Sequence, residues 1–253
     1  MTQTIQIPQN KKVYFLSDFH LGNPINEKSK ERERNLVSFL DSVKANTAAL
    51  FLVGDVFDFW FEYKHVVPKG YIRLLGKLAE FNDAGIPIHY FVGNHDMWSF
   101  SYFTEEFGAV MHYDTQDFVM GNKKIQIGHG DGIGPGDYNY KFLKLFFRNH
   151  FTQWLFSVLP PVIGMGIAYR WSRSSRAGNR DDKFWGDKEW IVQYCEEEDE
   201  KKARDYYLFG HRHHLLEHQL KNGGKYINLG DWLQYNSYAE FDGETMILKR
   251  FEK

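Results

Sequence analysis

Cysteine is almost missing from this sequence: Cys195 is the only one in 253 residues. A lone thiol excludes an intrachain disulfide framework and points to a cytoplasmic setting. Net charge is nearly missing too, at −2. The molecule as a whole therefore has no bulk attraction for nucleic acid or for a membrane, and any such attraction must come from a local patch. The opening MTQTIQIPQNKKVYF lacks the apolar core of a signal peptide. Internal repeats and low-complexity tracts are absent. Acidic residues are absent from one long stretch, 138–180, which carries seven Lys and Arg.

What remains is a chain that is 43% hydrophobic and 25% charged. That suits one domain over residues 1–253 with a substantial core and an insertion. Apolar runs alternate with amphipathic segments. Val13 to Ser17, Leu50 to Val53, Ile86 to Val92, Lys123 to Ile127, Tyr206 to Phe209 and Lys225 to Leu229 read as strands. Glu27 to Asn46, Tyr71 to Phe81 and a segment near Lys183 to Glu198 read as helices. Tyr238 to Phe241 and Thr245 to Phe251 read as strands joined through Asp242-Gly243. The alternation predicts an α/β layered fold. In 138–180, Phe and Trp interleave with the basic residues, and Pro160-Pro161 divides the stretch. It reads as an inserted helical pair. The uncharged segment Asn149 to Tyr169 is long enough to cross a bilayer, but Asn149, His150, Gln153 and the proline pair argue against that.

Five times an apolar run ends in Ser or Gly and meets a metal-ligand type at once. YFLS leads to Asp18 and His20. LFLVG leads to Asp55 and Asp58. IHYFVG leads to Asn94, His95 and Asp96. IQIG leads to His129, and YYLFG to His211 and His213. Any one of these histidines alone is more often structural than a ligand, and Asp18 or Asp58 alone could be a helix cap. The repeated context is what lifts them. Ligands of open α/β sheets gather beyond the carboxyl ends of strands. Oxygen and imidazole donors without thiolate suit Mn, Fe or Zn, and two such ions can clamp a phosphoryl group.

The blocks DFH, GDVFD, GNHD, GHGD and GHRH resemble, in order, the five signature blocks of the calcineurin-like metallophosphoesterases. The resemblance implies a layered β-sandwich flanked by helices and two divalent ions, with manganese the first expectation and iron or zinc the alternatives. It implies one ion on Asp18, His20, Asp55 and His213 and another on Asp55, Asn94, His129 and His211, with Asp55 bridging. His95 resembles the family's phosphoryl-facing histidine, with Asp96 expected to orient it and Asp58 expected near the ligands without being one.

A narrower resemblance runs through SDFHLG, GHGDGIGPGDYNYKFLKLFFRN, WLFSVLPP and RWSRSSRAGN. These are similar to UDP-2,3-diacylglucosamine diphosphatases of the lipid A pathway. That implies cleavage to UMP and 2,3-diacylglucosamine 1-phosphate by water attack at the α-phosphorus, with 138–180 as a lid over the acyl chains. The implied substrate contacts are Asn94, His95, Asp137, Ser175, Asn179, Lys183 and His211. A basic and aromatic lid also fits an anionic surface, so the expected location is cytoplasmic and peripheral on the inner membrane. One departure stands out: the third block has His95 where those enzymes carry arginine, and a histidine cannot grip a diphosphate bidentately. A broader phosphodiesterase or phosphatase on the same scaffold is the alternative, and a non-catalytic scaffold a further one.

Overall fold

The computed structural model describes residues 2–23, 26–136, 138–178 and 183–252, with residues 139 and 171–178 described in backbone only. Twelve strands are found among them: β1 (Gln3–Ile5), β2 (Lys12–Leu16), β3 (Thr47–Val53), β4 (Ile88–Phe91), β5 (Val110–His112), β6 (Gln116–Met120), β7 (Lys123–Gly128), β8 (Tyr206–Phe209), β9 (Leu215–Gln219), β10 (Lys225–Leu229), β11 (Ser237–Phe241) and β12 (Met246–Arg250). They form two six-stranded sheets, ordered β1-β6-β7-β8-β10-β9 and β12-β11-β2-β3-β4-β5. In the second sheet β2, β3, β4 and β5 run parallel. In the first, β7, β8 and β10 run parallel.

The sheets pack face to face. Val13, Phe15, Phe51, Val53 and Phe91 from one meet Phe118, Ile125, Ile127, Leu208 and Ile227 from the other in a single apolar cluster. The alternate residues of β2 and β3, Tyr14, Leu16, Leu50 and Leu52, face outward into a second cluster. There they meet α1 (Glu27–Val43) through Leu36, Phe39 and Leu40, α2 (Ile72–Asp83) through Leu74, Leu78 and Phe81, and α3 (Tyr102–Phe107) through Phe103 and Phe107. Strands buried on both faces read as unbroken apolar runs, which is why these were visible in the sequence. On the outer face of the other sheet, Ile191, Val192 and Cys195 of α7 (Trp190–Lys201) pack on Tyr207, Phe209 and Tyr226. The layers are helix, sheet, sheet, helix.

Two helical expectations are corrected. The stretch after β7 forms three helices, not two: α4 (Tyr138–Arg148), α5 (His150–Ser157) and α6 (Pro161–Gly178). Asn149 makes the extra break, because its side chain accepts the Phe151 N–H at 2.8 Å and caps a new helix. The helix expected near Lys183 begins only at Trp190, after a 3-10 turn at Gly186–Lys188 with Gly186 at φ 59°. No helix among the described residues is long and apolar enough to cross a membrane.

Candidate metal centre

The parallel strands of both sheets end at one rim, and each of the five sequence blocks begins where such a strand stops. Asp18 and His20 follow β2, Asp55 follows β3, and Asn94 follows β4. His129 follows β7, and His211 and His213 follow β8. Short backbone bonds stitch the loops together. Asp18 N–H donates to the Gly54 carbonyl at 3.1 Å, His20 N–H to Asp55 at 2.9 Å and Gly210 N–H to His129 at 3.0 Å. Asp18, His20, Asp55, His211 and His213 all adopt left-handed φ, between 44° and 66°. Such a conformation costs of order 1–3 kcal/mol at a non-glycine residue, so its concentration on five residues of one rim is a mark of a functional site. The glycines ahead of the ligand types have a steric reason. A Cβ on Gly93 would overlap Asp55 Oδ1, and one on Gly54 would overlap the His129 ring.

All seven expected ligand residues reach this rim. Asp55 Oδ2 lies 3.6 Å from His20 Nε2 and 3.4 Å from His129 Nε2. His213 Nε2 lies 3.4 Å from Asp18 Oδ1 and 3.2 Å from His20 Nε2. Asn94 Oδ1 lies 3.2 Å from His129 Nε2 and 3.0 Å from His211 Nδ1. Three overlapping trios each place one ligand atom per residue within 4.8 Å of the others: Asp18, His20 and His213; His20, Asp55 and His95; Asp18, Asp55 and His129.

The donors fit cations. Asp18 Oδ1 is buried without a hydrogen-bond partner, an arrangement that is costly unless a positive charge meets it. His129 donates from Nδ1 to the Val53 carbonyl at 2.9 Å, so Nε2 is the ring nitrogen turned toward Asp55. Burial opposes charge on His129, but Asp55 outweighs it and raises that imidazole well above its ordinary range. Burial likewise works against the Asp55 carboxylate, and His129 and His95 outweigh it, holding Asp55 well below the usual value. Burial, helped by His129, drives His211 down to about 3. A buried negative focus ringed by imidazole nitrogens suits a hard or borderline divalent ion.

Asp96 corrects an expectation. Its carboxylate does not meet His95. Oδ2 accepts from Val56 N–H at 2.9 Å and Tyr90 hydroxyl at 2.6 Å, and Oδ1 accepts from Gly93 N–H at 2.7 Å. Asp96 therefore fixes the backbone of the second and third blocks. The residue that meets His95 is Asp58, whose carbonyl accepts from His95 Nδ1 at 2.9 Å and whose Oδ1 lies 3.9 Å away. Asp58 Oδ1 also lies 3.6 Å from His20 Nδ1. It touches two rings without reaching into the ligand trios.

Of the expected substrate contacts, Asp137, Asn179 and the side chain of Ser175 lie outside the described residues. Asn94, His95 and His211 are at the rim. Lys183 places its ammonium 4.4 Å above the Trp185 ring, and its carbonyl accepts from Arg212 at 3.3 Å. The helical stretch sits beside the rim. Trp98, just after the third block, donates from Nε1 to the Phe147 carbonyl at 2.8 Å, and its ring centre lies 4.6 Å from that of Phe156 with the planes tilted by 45°. Phe59, Phe61, Met165 and Tyr169 join that cluster. Asp131 ties the His129 loop to α4 through Tyr140 hydroxyl at 2.8 Å and Lys144 at 2.7 Å. The other side of these helices is uncovered, with Phe142, Leu145, Phe151, Trp154, Val158 and Val162 exposed.

One residue at the rim escaped the sequence reading. Asp231, fully buried, lies 3.0 Å from His213 Nδ1 through Oδ2. Its signal was present: YINLG followed by Asp231 is a sixth apolar run ending in Gly and a ligand type, and β10 runs parallel to β8.

Comparison with known proteins agrees with this geometry. Residues 11–215 match the family model described as calcineurin-like phosphoesterase. A UDP-2,3-diacylglucosamine hydrolase of Porphyromonas gingivalis is 36% identical over 95% of this chain and 98% of its own length. Proteins of the same name from Ectopseudomonas mendocina and Haemophilus influenzae are 27% and 28% identical, over 95% and 94% of this chain and 98% and 99% of theirs. Matched across most of its length by the family model and nearly end to end by a relative above one-third identity, the chain belongs to the calcineurin-like phosphoesterase family.

Proposed function

We propose that this protein hydrolyses UDP-2,3-diacylglucosamine to UMP and 2,3-diacylglucosamine 1-phosphate, using two divalent cations with manganese the first choice. The observation that supports it most is the meeting of seven oxygen and imidazole donors at one rim beside a helical stretch with an uncovered apolar face. The relatives named for this reaction, matched over nearly their full length, supply the substrate class.

Asp18, His20, Asp55 and His213 would hold one cation and Asp55, Asn94, His129 and His211 the other. Such cations, when bound, neutralise phosphoryl charge and lower the pKa of water at neutral pH. The chain's own residues do the rest. Asp55 would serve both sites, and its Oδ1 is pinned by the His95 N–H at 2.9 Å. His95, held through Nδ1 by the Asp58 carbonyl, in its protonated form donates from both ring nitrogens. Nε2 then serves a phosphoryl oxygen as charge builds. Water adds at the α-phosphorus, the bond from that phosphorus to the bridging oxygen breaks, and the sugar phosphate leaves with the bridging oxygen. Helices α4 to α6 act as a lid, with acyl chains covered by its aromatic residues and the exposed Phe142, Leu145, Phe151 and Trp154 resting on an anionic membrane surface.

The test is turnover of UDP-2,3-diacylglucosamine with added Mn²⁺ in ¹⁸O-labelled water. UMP must appear, carrying the label. Label found only in the sugar phosphate excludes α-attack, and no turnover with any metal excludes the substrate. His95 in place of arginine is the observation that favours the second reading, a phosphodiesterase of wider range. Fast hydrolysis of small diesters, insensitive to deletion of 142–173, would select it.

A further inference from the structure

We infer that Asp231 is a positioning residue for His213, fixing the tautomer that turns the His213 Nε2 lone pair toward Asp18 and His20; this rests on the reading of His213 as a metal ligand. The two oxygens of Asp231 do separate jobs. Oδ1 accepts three backbone N–H groups, from Leu233 at 3.0 Å, Gln234 at 2.7 Å and Tyr235 at 3.3 Å. That fan of donors sets the rotation of the carboxylate. Oδ2 is then aimed at His213 Nδ1, 3.0 Å away. The Asp231 backbone is held as well, since its carbonyl accepts the Ser237 N–H at 3.2 Å. The carboxylate is fully buried, so no solvent competes for the contact.

An ionised carboxylate only accepts. The proton of a neutral His213 must therefore sit on Nδ1, and Nε2 carries the lone pair. That lone pair points to where Asp18 Oδ1 and His20 Nε2 gather, 3.4 and 3.2 Å distant. His129 reaches the same tautomer through a backbone carbonyl, Val53. For His213 the acceptor is a side chain, brought by the loop that follows β10. Carboxylate partners of ligating imidazoles orient the ring and raise its basicity, and their loss costs about 10–100-fold in metal affinity.

Asp231→Asn makes a sharp test, because the three N–H groups still demand an oxygen. The amide oxygen stays with them, and the amide NH₂ is turned onto His213 Nδ1. A donor there forces the ring proton to Nε2, aimed at the cation position. The full-length, metal-stripped protein is titrated with Mn²⁺ by calorimetry. Long-range ¹H–¹⁵N spectra at alkaline pH, where the rings are neutral, report the His213 tautomer. The expected results are an Nδ1–H tautomer in the wild type, an Nε2–H tautomer in Asp231→Asn, and one of two Mn²⁺ sites weakened by about 10–100-fold. If Asp231→Asn binds Mn²⁺ like the wild type while His213→Ala loses a site, this inference falls and the ligand reading stands. If His213→Ala keeps both sites, the ligand reading falls and takes the inference with it. Should Asp231→Asn not fold, the wild-type spectrum decides: an Nε2–H ring in the metal-free protein overturns the assignment.

Discussion

Replacing Asp55 by asparagine probes the site at the one residue both halves share. Asp55 Oδ2 lies between His20 Nε2 at 3.6 Å and His129 Nε2 at 3.4 Å. Its Oδ1 accepts the His95 N–H, a bond that an asparagine oxygen can keep, so the loop geometry survives. What is lost is one negative charge facing two cation positions. A unit charge 4 Å from another contributes about 4 kcal/mol at an effective dielectric of about 20. That corresponds to about three powers of ten in a binding equilibrium, and a divalent ion feels the loss twice over. Asp55→Asn should therefore lower kcat/KM by at least about 10³-fold and lose stoichiometric metal. Steady-state turnover and elemental analysis of the same preparation measure both. A variant that keeps two metals and a rate within tenfold of the wild type would refute the bridging role.

Three further outcomes follow from the same geometry. His95→Ala should lower kcat by about 10²–10⁴-fold with metal content unchanged, measured by steady-state kinetics; an unchanged rate removes His95 from the chemistry. Trp98→Ala removes the residue that joins the third block to α4 and α5, at a cost of about 3–5 kcal/mol for a buried tryptophan. It should raise KM for the lipid substrate, speed proteolysis within 138–178, and leave turnover of a small diester unchanged. The buried pair His89 and His112, 3.0 Å apart between ring nitrogens, sets an acid limit. Burial, and for His89 also the neighbouring ring, lowers each to about 4 against an ordinary 6.5. Folded rings that stay neutral contribute stability that is full above pH 6.5 and is lost as pH falls toward 4. At about 1.4 kcal/mol per pKa unit, that is of order 3 kcal/mol for each ring. Denaturant unfolding as a function of pH should show the decline, and His89→Leu combined with His112→Leu should flatten it.

The sequence spoke most plainly where burial is two-sided. β2 and β3 place alternate residues into the inter-sheet core and under α1 and α2, and the result is an uninterrupted apolar run. β1, β5, β6 and β9 were not read, because three to five residues at or near a sheet edge, such as Gln116–Met120, carry too little apolar pattern. The break at Asn149 was hidden because apolar residues continue across it on both sides, and only the cap ends α4. At the site, residue types and order were legible, but partners were not. Asp96 adjoins His95 in sequence and yet bonds Tyr90, Val56 and Gly93, while Asp58, 37 residues away, holds the ring. Asp231 repeated the pattern of the five blocks, but only the parallel pairing of β10 with β8 brings it to His213.

Crystals grown with manganese and measured at its absorption edge show whether this rim holds a pair of cations. Two anomalous peaks are expected about 3.5–4 Å apart, one on each side of the Asp55 carboxylate, the first against Asp18, His20 and His213 and the second against Asn94, His129 and His211. Peaks elsewhere, or a rim that takes up no metal while the protein still turns over its substrate, would contradict it.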